Sequence, residues 1–145
     1  MTHELRVRDL MTKDVHGISE TSSLATAANA MAERGTNSLL VWPVERDEPY
    51  GIVTSSDVVD AIASGKDLEN TPVANLCSTP LVIVTPGVRA RDAARLMSRM
   101  NLRHLVVLSG KDIVGIVSNF DLLRAAAGSP KAFQPGGPAV PLVEP

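Results

Sequence analysis

The chain has 145 residues, 44% hydrophobic and 21% charged, enough for one compact domain or two small subdomains; this excludes a large multidomain enzyme and a wholly disordered chain. Lys and Arg number 14 against 16 Asp and Glu, a formal charge of −2, so no global basic field directs the protein to nucleic acid or an anionic membrane. Cys77 is the single cysteine, which excludes an intramolecular disulfide and a multi-cysteine zinc site and suits a reducing, cytoplasmic compartment.

The opening MTHELRVRDLM carries charges where a signal peptide needs apolar residues, so secretion is not expected. Val15–Ile18 reads as a weak strand, followed by a helix over Ser23–Arg34 and strands at Ser38–Val44 and Tyr50–Thr54. A helix over Ser55–Ala63 closes this first series. After a loop at Gly65–Pro72, Leu81–Val84 is a β-branched run ended by the turn signal Pro86-Gly87, and it predicts a second weak strand. Val88–Met100 brings Val88, Ala93, Leu96, Met97 and Met100 near one helical face, with Arg89, Arg91, Asp92, Arg95 and Arg99 mostly opposite. His104–Leu108 and Ile113–Val117 flank a hairpin-like Ser-Gly-Lys-Asp, and a last helix spans Asn119–Ala126. None of the apolar runs approaches the roughly 20 residues that span a bilayer. The tail from Gly128 is too rich in proline and glycine for a regular helix or central strand and is expected to be flexible; Phe133, Val140, Leu142 and Val143 are its only candidates for docking.

The two series repeat each other. An offset of 66 residues lays Val7, Ala27, Met31, Leu39 and Val41 on Val73, Ala93, Met97, Leu105 and Val107. After a two-residue slip in the polar connection between strands, Gly51-Ile52-Val53 and Asp57 fall on Gly115-Ile116-Val117 and Asp121. Each copy is strand, helix, strand, strand, helix. A unit of ~60 residues is marginal alone, so the copies are expected to pack together as one pseudo-twofold α+β unit.

The copies agree best at GIVTSSD (51–57) and GIVSNFD (115–121). A Thr or Ser three residues before an acid, where a strand turns into a helix, forms a capping box: each side chain satisfies a backbone N–H of the helix start. The same turn also offers a hydroxyl and a carboxylate to a ligand, and a carboxylate can accept hydrogen bonds from two ribose hydroxyls. Both readings stand on these residues.

The duplicated unit, the two motifs, the opening VRDLMTKDV and the segment ARLMSRMNLRHLVVL together resemble a pair of cystathionine-β-synthase (CBS) domains, a Bateman module. The resemblance implies a first repeat at residues 7–64, a second at 73–127 and a tail at 128–145. It also implies a regulatory, energy-sensing module that binds AMP, ADP, ATP or S-adenosylmethionine in a cleft between the repeats, with no cofactor required. Asp121 and Asp57 would hold ribose, and Ser118 and Thr54 would contact ribose or phosphate. Thr12, Val15 and His16, with Thr79, Pro80, Leu81 and Val82, would line the adenine. Asn37, Ser38, Arg103 and His104 would face phosphate. Where the family often has a proline in the second strand, this chain has Leu40 and Val106.

The charges distinguish the two motifs. Arg124 lies one helical turn beyond Asp121 and offers phosphate a partner, whereas Asp60 lies one turn beyond Asp57 and repels it, so charge alone favours the Asp121 site. The three histidines lack ligand spacing, so no metal site is expected. Met31, Met97 and Met100 are expected in the core, and Cys77 as a half-buried apolar residue rather than a redox sensor. No nucleophile, base and orienter occur together and no P-loop is present, so an enzyme is not expected. The competing reading is a ligand-free dimerisation or docking module; a homodimer and an unidentified regulated protein are the expected partners, and nucleic acid and membrane are not.

Overall fold

The structure is a computed structural model and describes residues 4–133, so Val140, Leu142 and Val143 of the tail lie outside the described residues. Its elements run α1 (Val7–Leu10), β1 (Gly17–Ser19), α2 (Leu24–Arg34), β2 (Ser38–Trp42), β3 (Gly51–Thr54), α3 (Ser55–Ala63), β4 (Ile83–Val84), α4 (Ala90–Met100), β5 (His104–Ser109), β6 (Asp112–Ser118) and α5 (Asn119–Gly128). Short 3-10 turns occur at Val73–Asn75 and Pro130–Phe133. This is the α+β fold of two β-α-β-β-α series, with α1 and the turns added.

Each series makes a three-stranded sheet in which the first strand lies parallel, and the third antiparallel, to the middle one. The crossovers β1-α2-β2 and β4-α4-β5 supply the helix that a parallel pair requires. Ser23 caps α2 by accepting from the Thr26 N–H at 3.1 Å, and Gly35, at φ 64°, ends it in the left-handed conformation that glycine adopts without strain. The period of α2 buries Leu24, Ala27 and Met31 against Leu39, Val41 and Val53; that of α4 buries Ala93 and Met97 against Leu105, Val107 and Val117. Each fully buried leucine contributes about 1.5–3 kcal/mol. Met100 departs from the expected core: it is the last residue of α4, before the left-handed cap Asn101 at φ 54°, and is 51% exposed.

The chain forms two compact units that do not follow sequence order. One gathers the described residues of Met1–Asp14 and Val82–Pro145; the other is Val15–Leu81. The segment ahead of each series joins the sheet of the other. Thr12 pairs antiparallel with Ile116 through N–H···O bonds of 2.8 and 3.0 Å, and its repeat equivalent Ser78 pairs with Ile52 at 2.9 and 3.0 Å. Val7 and Val73, both fully buried, anchor these segments in the two cores. The repeated glycines follow from this approach. A Cβ on Gly115 would lie 2.7 Å from Met11 Sδ, and one on Gly51 would lie 2.9 Å from the Ser78 carbonyl oxygen.

Candidate functional site

Both motifs fold as capping boxes. In the Val15–Leu81 unit, Asp57 accepts from the Thr54 N–H at 2.8 Å and the Thr54 hydroxyl at 3.1 Å, while its own N–H donates to Thr54 Oγ1 at 3.3 Å. In the other unit, Asp121 accepts from the Ser118 N–H at 2.8 Å and its N–H donates to Ser118 Oγ at 3.1 Å. Equivalent carbonyls hold the first helical N–H in place: Asn37 accepts from Ser55, and Arg103 from Asn119, both at 2.9 Å. Across the strands, Ser38 faces Thr54 and His104 faces Ser118. The residues entering the middle strands therefore stand beside the boxes.

The adenine-lining candidates divide between the units. Val15, His16, Thr79, Pro80 and Leu81 belong to the unit of Asp57, whereas Thr12 and Val82 belong to that of Asp121. The His16 carbonyl accepts from Leu40 N–H at 3.0 Å, and its Nδ1 contacts the Arg34 guanidinium. The Val82 carbonyl accepts from Val106 N–H at 2.9 Å. Thr12 Oγ1 reaches Asp121 Oδ1 at 3.5 Å. Ser78, whose backbone pairs with Ile52, is absent from the sequence-based set; its offset of 66 from Thr12 was the signal that identifies it.

The two carboxylates have different surroundings. Asp121 is only 4% exposed, and its Oδ1 receives Arg124 Nη2 at 2.5 Å; the Arg124 guanidinium in turn lies 5.1 Å from the Phe120 ring centroid. Asp57 is half-buried, its Oδ2 carries both Thr54 bonds, and its Oδ1 accepts no hydrogen bond among the described residues. Burial pushes the Asp57 carboxyl above its usual range, with Asp60 adding to the rise and the two Thr54 bonds opposing it. A carboxylate in that state gains from further donors.

Burial also lowers the His104 imidazole below its ordinary value of 6.5; Asp121 opposes the shift and Arg103 reinforces it. A histidine held neutral in the fold contributes stability that is complete above its unfolded pKa and is lost as pH falls through the folded one. Urea unfolding should therefore show a loss of stability as the pH falls from neutrality through 6.5 and below, and His104→Gln should reduce that loss; an unchanged pH dependence in the variant would assign it to other groups. Burial likewise pushes the Cys77 thiol up, away from the thiolate that a redox sensor needs. On α4, Asp92 binds Arg89 at 2.7 Å and Arg95 at 3.0 Å, which makes that basic face an exposed ion-pair network. No helix among the described residues is long and apolar enough to cross a membrane.

The sequence profile of the CBS domain matches residues 7–64 and 73–128. The Bacillus subtilis CBS domain-containing protein YhcV is 32% identical over 117 residues, covering 80% of this chain and 81% of that protein. An uncharacterised protein of Methanocaldococcus jannaschii is 28% identical over 86% of this chain, but the chain spans only 32% of its length. Among solved structures, a hexameric CBS-CP12 protein from bloom-forming cyanobacteria superposes with a TM-score of 0.80 at 31% identity, covering 90% of this chain and 76% of that one. A Pyrobaculum aerophilum CBS domain protein, solved in complex with AMP, shares the fold at a TM-score of 0.71 and 23% identity, over 86% of this chain and 99% of that one.

Proposed function

Because the chain belongs to the CBS-domain family, a family of regulatory modules, we propose that it senses an adenosine-containing ligand and that Asp57 holds the ribose. The observation that carries this reading is the open Oδ1 of Asp57: one oxygen is fixed by the helix cap while the other awaits donors, the arrangement a ribose diol needs. Asp121, favoured by charge alone, would first have to release Arg124. Thr54, Asn37 and Ser38 would contact phosphate, and Val15, His16, Thr79, Pro80 and Leu81 the adenine. The AMP complex of a protein with the same fold adds support. The ligand's free energy drives regulation only through contacts that differ between two states of the protein. The chain acts by binding rather than catalysis, and two copies associate.

Asp60 and the scarcity of cations in Val15–Leu81, where only Arg34, Arg46 and Lys66 are basic, disfavour additional phosphates. AMP or S-adenosylmethionine should thus outrank ADP and ATP. A thermal-shift screen against AMP, ADP, ATP, NAD and S-adenosylmethionine tests both points. Saturation at a hundredfold excess over Kd should raise the melting temperature by about 5–10 °C. No rise with any of them would favour the ligand-free docking module, and a larger rise with ATP than AMP would reverse the phosphate argument.

A further inference from the structure

Two leading segments dock in the same way on the start of a helix. Val7 N–H donates to the Val88 carbonyl at 2.8 Å and Ala90 N–H to that of Leu5 at 2.9 Å; in the other unit Val73 donates to Ser22 at 2.8 Å and Leu24 to Thr71 at 2.9 Å. Arg6 thereby pairs with Arg89 as Pro72 pairs with Ser23, at the repeat offset of 66. The side chains differ. In Val15–Leu81 the equivalent positions are neutral: Pro72, Ala74, and Ser23, whose hydroxyl caps α2. In the other unit they are Arg6, Arg8 and Arg89, and the Arg89 side chain gives α4 no cap. The same docking forms with neutral residues, so the backbone pairing does not account for the arginines.

Arg6 is only 8% exposed, and a buried cation is costly unless it is paired. Its Nη1 donates to the Gly87 carbonyl at 2.6 Å, and its buried Nε has no partner. The half-buried Arg8 brings a second guanidinium to the same residue, since a Cβ on Gly87 would lie 3.9 Å from Arg8 Nη1. Among the described residues neither guanidinium pairs with a carboxylate. The nearby acids have other partners: Asp9 accepts from the Arg6 backbone N–H at 2.8 Å, and Asp92 holds Arg89 and Arg95. Over residues 4–9 and 86–95, five arginines stand against three acids. We propose that Arg6 and Arg8, with the uncapped start of α4, form a site for a free phosphate ion. The dianion matches the excess of two positive charges, and its oxygens can accept from two guanidinium forks and from the N–H groups of the helix start. A single carboxylate would satisfy only one fork. The site belongs to the unit that lacks Asp57 and does not depend on the adenosine reading.

Nuclear magnetic resonance tests it. The isotopically labelled full-length chain is titrated with sodium phosphate while sodium chloride holds the ionic strength constant, and the arginine Nε–H and backbone amide signals are followed. Saturable shifts are expected at the Arg6 and Arg8 Nε–H and at the Arg91 and Asp92 amides. Arg8→Gln should weaken phosphate binding about tenfold. Arg99→Gln, which removes an exposed cation from the other end of α4, should leave it unchanged. Because Arg8 is half-buried, its replacement spares the buried Arg6 position, and the amide spectrum of each variant verifies its fold. No saturable shift, or an affinity unchanged in Arg8→Gln, would overturn the site. Equal weakening by the two variants would reduce it to diffuse charge attraction and overturn it as well. A parallel titration with AMP separates the sources of phosphate: shifts at these groups with AMP but none with phosphate would overturn the free ion as the ligand.

Discussion

Asp57→Asn should abolish the melting-temperature rise caused by AMP while changing the melting temperature of the free protein little. Its amide oxygen can still accept from the Thr54 N–H, the cap bond that measures 2.8 Å, but the other side-chain atom becomes a donor and can no longer receive a ribose hydroxyl. Asp57→Ala removes both roles, so the free protein should lose about 0.5–2 kcal/mol as well. Losing a hydrogen bond to a charged group costs about 1.5–3 kcal/mol, or roughly 10- to 100-fold in affinity for AMP. Titration calorimetry of the three proteins measures it. An AMP affinity unchanged in Asp57→Asn would reduce Asp57 to a helix cap.

Gly51→Val should destabilise the protein by about 1–3 kcal/mol, measured as a lower urea midpoint. Its Cβ would come within 2.9 Å of both the Ser78 carbonyl oxygen and Thr79 Cγ2, and 3.0 Å from Cys77 Sγ. The Ser78 backbone cannot withdraw without breaking its two hydrogen bonds to Ile52. A Cβ on Gly17 would meet Trp42 at a shorter distance, 2.0 Å, yet the obstacle there is a half-buried side chain that can turn aside. Gly51→Val should therefore cost more than Gly17→Ala, and it should also weaken the AMP response by moving Thr79. Equal midpoints for Gly51→Val and the wild type would mean that the Cys77–Thr79 segment is held less closely than the structure indicates.

The parts of this fold that local chemistry determines were legible in the sequence. The limits of α3 agree with the expected Ser55–Ala63 because the Thr54–Asp57 box fixes its start. The middle strands were legible as apolar runs, Ser38–Trp42 and His104–Ser109, and α2 lies within the expected Ser23–Arg34. β4 is shorter than Leu81–Val84 suggested because its paired register with β5 runs only over Ile83 and Val84. What local pattern does not encode is which sheet a leading segment joins. Thr12 and Ile116 lie far apart in sequence, and only their pairing reveals why glycine precedes each Ile-Val. The candidate site divides in the same way: both capping boxes were visible as spacing, but the ranking of the two acids was not. The turn from Asp121 to Arg124 reads as an open phosphate partner, whereas the folded helix spends that cation on Asp121 itself.

A crystal structure of the full chain grown with saturating AMP tests most directly which carboxylate meets the ribose. The expected result places the ribose hydroxyls on Asp57 Oδ1, with Arg124 still bound to Asp121. Ribose on Asp121 with Arg124 displaced, or crystals without bound nucleotide, would contradict it.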